Sequence, residues 1–101
     1  MNIRDLNGEV RPLDQYPGGD LVAKGISDLR QQICSEEALL VSIARPRLLR
    51  LGLSIPELVG TKPPFEHALY EAVEKRMVEG AHGAYTALIG RIVSFANTYR
   101  P

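Results

Sequence analysis

Between Asp20 and Tyr99 apolar residues return every three or four positions in four successive stretches, separated only by short links rich in Gly, Pro or Ser. That period is the mark of helices that each turn one face into a core. Four such stretches within 101 residues predict an all-α fold, a compact four-helix bundle-like domain over residues 20–101. Residues 1–19 lack a clear period and are expected to form an N-terminal arm, either extended or a short hairpin turning at Asn7-Gly8.

The first helix is expected to start at Asp20, whose carboxylate suits the free N–H groups of a first turn, with Leu21, Val22, Ile26, Leu29 and Ile33 on its inner face. Gly25 interrupts that stretch at a cost of up to ~1 kcal/mol relative to alanine, a cost that close approach of another helix would explain. Ser35 is a good N-cap for the second helix, and Glu36 and Glu37 suit the positive end of its dipole. Ala38 to Ala44 is apolar except for Ser42, so this helix should be central. Pro46 predicts a kink or a break, because proline offers no N–H to the carbonyl four residues earlier. Gly52 suits a C-cap. Leu53 to Pro64 is a connector, with one helical turn expected from Ser54 through Leu58. The third helix follows Pro63-Pro64 with a stripe of Phe65, Ala68, Leu69, Ala72, Val73 and Met77, and the fourth follows Gly80–Gly83 and carries a broad apolar face to Tyr99.

Composition bounds the function classes. Twelve basic and twelve acidic side chains cancel, whereas nucleic-acid binders usually carry a basic excess that neutralises phosphates. Four Tyr, two Phe and no Trp leave an aliphatic core. Cys34 is alone, so no disulfide forms within the chain, which fits a reducing compartment. Met1 to Val10 is polar with both charge signs, unlike a signal peptide, and no apolar run approaches ~18 residues. A cytoplasmic protein with no cofactor and no membrane contact is expected.

The candidate chemistry is sparse. Arg76 and His82 flank the junction of the third and fourth helices, and an imidazole near a guanidinium can move protons beside a bound phosphate. An Arg followed four to six positions later by His resembles the active-site signature of HEPN ribonucleases, which are small α-helical proteins. The resemblance covers these two residues; where that family usually has a polar residue after the Arg, this chain has Met77. It implies a metal-independent ribonuclease in which Arg76 holds the phosphate and His82 handles protons. His67 and Glu71 have the i, i+4 spacing of a ligand pair, but two ligands make no metal site. Arg45, Arg47 and Arg50 form the one basic cluster and would serve phosphates or an acidic partner. Cys34 lies just ahead of a helix start, where a thiol becomes more acidic, but no His is close to it in sequence. Tyr85, Phe95 and Tyr99 are aromatic candidates for a partner-binding patch. The leading expectation is a non-catalytic protein-interaction or assembly module, a homodimer. The ribonuclease and a nucleic-acid-binding regulator using the arginine cluster are the alternatives.

Overall fold

The computed structural model describes residues 13–99, and the hairpin or arm expected at the N-terminus falls largely on residues 1–12, outside them. A 3₁₀ turn, Leu13–Gln15, leads into four helices: α1 (Gly19–Arg30), α2 (Glu36–Arg50), α3 (Phe65–Arg76) and α4 (Ala81–Thr98). No strand occurs among the described residues, and the architecture is all-α.

Apolar burial organises the bundle around α2. Leu39, Leu40, Val41 and Leu48 are fully buried, and they meet Val22 and Leu29 of α1, Leu69 and Val73 of α3 and Phe95 of α4 in one cluster. Each such side chain contributes roughly 1.5–3 kcal/mol on leaving water. This burial explains why the break expected at Pro46 does not occur. The proline leaves the Ser42 carbonyl without its usual donor, a loss of ~3 kcal/mol, but buried leucines on both sides of it hold α2 continuous from Glu36 to Arg50. The helical turn expected at Ser54–Leu58 is also absent; these residues run without regular structure.

The start of α1 differs from expectation as well. Gly18 adopts a left-handed backbone (φ 74°) at the N-cap, so the helix opens at Gly19. Asp20 therefore lies inside the first turn, and its side chain reaches across to Arg91 of α4 at 2.6 Å. That guanidinium holds the Asp20 carboxyl below the usual carboxylate range. Gly18 also sits against α4 so closely that a Cβ there would stand 2.3 Å from the Arg91 carbonyl oxygen. Gly25 makes the α1–α2 contact its sequence position suggested, since a Cβ would meet Val41 Cγ2 at 2.4 Å and the Glu37 carbonyl oxygen at 2.6 Å.

Two polar assemblies fix the joints. At the start of α2 the Ser35 hydroxyl accepts from the Ala38 N–H at 3.0 Å, capping the helix as expected, and donates to the Asp28 carboxylate at 2.6 Å. Asp28 is buried and also accepts from Lys24 at 2.7 Å. The ammonium and the hydroxyl hold its carboxyl below the usual range. A carboxyl more acidic in the folded chain adds stability above its unfolded pKa and gives it up as pH falls through the folded one. Ser35→Ala should therefore cost about 1–2 kcal/mol near neutrality. Urea titrations across pH should show that penalty shrinking as pH falls through and below the usual carboxylate range, until Asp28 takes a proton and only the lost cap remains.

The second assembly ties down the connector. At the end of α1, Gln32 takes the left-handed position (φ 57°) usually given to glycine, while Gln32 N–H donates to the Leu29 carbonyl and Ile33 N–H to the Asp28 carbonyl. The Gln32 side chain then donates to the Glu57 carbonyl and accepts from the Val59 N–H, both at 2.8 Å. Arg45 Nε donates to the Ile55 carbonyl at 2.9 Å. Residues 55–59 are thus held against α1 and α2 by their own backbone groups.

Candidate functional site

The arginine and histidine of the ribonuclease reading have separate surroundings. Arg76, at the last position of α3, presents its fork to Glu36 of α2, with Nε at 2.6 Å from Oε2 and Nη2 at 3.0 Å from Oε1, and its third nitrogen lies 3.3 Å from Met77 Sδ. The guanidinium that would hold a phosphate is engaged by a carboxylate. His82 is exposed on the first turn of α4, its ring 6.3 Å from that of Tyr70, which in turn packs against Tyr85 at 5.1 Å. No hydrogen bond joins Arg76 to His82 among the described residues.

The basic cluster is divided too. Arg45 turns to the connector, with Glu57 Oε2 3.7 Å from Nη1, while Arg47 turns to α4 and donates to Asn97 Oδ1 at 2.6 Å. Arg50 is exposed at the end of α2. His67 and Glu71 form an exposed i, i+4 pair at 3.5 Å, and no group of three metal-ligating side chains occurs among the described residues. Cys34 is exposed, its Sγ 3.7 Å from Thr61 Oγ1. Of the three aromatics, Phe95 is fully buried and stacks on Tyr99 at 5.2 Å, and Tyr16 closes on both rings edge-on at 6.0 and 5.0 Å. Burial raises the pKa of the Tyr99 phenol. Only Tyr85 remains half exposed, so Phe95 and Tyr99 face the chain's own interior.

The surface that stands out is on α4. Its inner side buries Ile92, Phe95 and Ala96, with Tyr85, Leu88 and Ile89 half-buried beside them. Its outer side is Gly83, Thr86, Ala87, Gly90, Val93, Ser94 and Asn97, all exposed and all uncharged. A surface helix ordinarily carries charge on the side away from its core. Arg91, the one Lys or Arg of this helix, is drawn aside by Asp20. The polar groups of the outer side are partly satisfied within the chain: the Thr86 hydroxyl donates to the His82 carbonyl, and Asn97 accepts from Arg47. Val93 is 45% exposed.

The small residues follow a 4-3-4 spacing, Gly83, Ala87, Gly90, Ser94, which places them along one line of the helix. Added Cβ atoms at Gly83 and Gly90 would meet nothing within 4 Å, so neither glycine is needed for packing within the chain. Sequence reasoning weighed the apolar side of this helix and overlooked the opposite one. The signal was available as a 4-3-4 run of small residues in a helix nearly free of charge.

No helix among the described residues is long and apolar enough to cross a membrane. No protein-family model, curated protein sequence or solved structure matches this chain.

Proposed function

We propose that the chain is a non-catalytic assembly module that pairs with a second copy of itself through the outer side of α4. The observation that carries this reading is the uncharged line of small residues there, with two glycines that have no role in the chain's own packing. Each costs up to ~1 kcal/mol of helix stability relative to alanine. Small side chains let two helix axes approach closely, and dispersion attraction along the whole line then offsets the missing side chains. A single line of this kind is self-complementary, as a two-fold symmetric pairing requires. The zero net charge of the chain adds no repulsion between copies.

Static light scattering at micromolar concentration tests the reading. The wild-type protein should scatter with about twice the 11.1 kDa chain mass. Gly90→Lys places a good helix former where nothing within the chain obstructs it, so the variant should stay folded and scatter as a single chain. A wild-type protein that scatters as one chain would overturn the proposal.

A further inference from the structure

The connector, α2 and Phe65 line an open-sided cavity of about 430 Å³, within the range of small-molecule sites. Leu58, Val59, Pro46, Pro63 and Phe65 give it mostly apolar walls. Ser42, Arg45, Glu57 and Thr61 supply its polar lining. Ser42 and Arg45 are three apart on α2 and so share a face, and both line the cavity. Ser42 is 6% exposed, and its hydroxyl is buried without a hydrogen-bond partner. A buried hydroxyl left unpaired is destabilising. Arg45 directs Nε to the Ile55 carbonyl, but its Nη1 has only the long 3.7 Å approach to Glu57, whose side chain is 78% exposed. An apolar pocket with a cation at one wall, a buried hydroxyl beside it and a loosely held, displaceable carboxylate is complementary to a small apolar molecule bearing one carboxylate.

We infer that this cavity is a binding site for a small apolar monocarboxylate. The hydrocarbon part lies against Phe65, Leu58 and the prolines. The carboxylate takes the place of Glu57 at the Arg45 guanidinium, and Ser42 donates its hydroxyl to the same group. Charge-assisted hydrogen bonds from a guanidinium are about twice as strong as neutral ones, which makes Arg45 the main source of head-group selectivity. The inference is independent of the pairing proposed for α4, because the cavity and the outer side of that helix share no residue.

Titration of isotope-labelled full-length protein with 2-naphthoate, and separately with the neutral 2-naphthylmethanol, tests it by amide chemical shifts. Naphthoate should give saturable shifts concentrated at residues 42–46 and 57–65, with the alcohol weaker by about tenfold. Arg45→Gln should remove that preference for the acid. Glu57→Gln, which deletes the competing carboxylate, should tighten naphthoate binding and leave the alcohol unchanged, an effect that partial unfolding would not imitate. The site is overturned if no saturable shift appears below about 10 mM. It is equally overturned if acid and alcohol bind alike and neither variant alters their ratio.

Discussion

Phe95→Ala is expected to lower the unfolding free energy by about 3–5 kcal/mol, the cost of emptying a well-packed aromatic site. Phe95 is fully buried and packs against both Tyr99 and Tyr16, with the left-handed Gly18 turn closing over it. Removing the ring would leave two tyrosines without their shared neighbour and loosen α4 from the start of α1. Small domains are stable by only about 5–15 kcal/mol, so the variant should unfold at a much lower urea concentration by far-ultraviolet circular dichroism. A residue that served only to meet a partner would leave the midpoint of the isolated chain in place. Matching midpoints would therefore mean that the aromatic cluster contributes little to the fold.

Gly25→Val should destabilise the chain by about 3 kcal/mol, at the upper end of the usual overpacking cost. The substitution drives atoms into Val41 and into the Glu37 carbonyl where α1 packs on α2, and a backbone carbonyl within a helix cannot step aside as a side-chain tip can. Gly25→Ala should still be destabilising, despite up to ~1 kcal/mol of added helix propensity. The same exchange on α4 reverses the sign: Gly90→Ala, measured at a dilution where chains are single, should stabilise by up to ~1 kcal/mol because open space surrounds that position. Thermal melts of the two alanine variants side by side give the comparison, and a shift in the same direction for both would contradict the packing described.

Much of the fold was legible because it depends on period and punctuation. The Phe65–Met77 stripe has Leu69 and Val73 buried and its other members half-buried, Ser35 caps α2, and Gly52 ends it with Leu53 N–H donating to the Leu48 carbonyl. The failures share a cause: long-range burial or contact overrode a local rule. Pro46 has a strong local preference to break a helix, yet leucines buried against three other helices outweigh it. Gln32 holds a position that local preference gives to glycine because its amide finds two backbone partners in the connector. The candidate site was less legible. Arg76, Arg45 and Arg47 looked available in sequence, and each has a partner 10 to 50 positions away that no local pattern reveals. The outer side of α4 was the opposite case, since its residues were visible but exposure and open space, which give the two glycines meaning, are properties of the folded chain.

The proposed pairing brings two copies together along the small-residue line of α4. Cysteine cross-linking addresses that surface directly, because a disulfide forms only when Cα atoms come within about 4.4–6.8 Å. With the one native cysteine replaced by Cys34→Ser, Gly90→Cys should give a disulfide-linked pair under mild oxidation, and Glu74→Cys, also exposed but on α3, should not. Equal cross-linking at the two positions, or none at Gly90 and none at Ala87→Cys, would mean that this side of α4 does not pair.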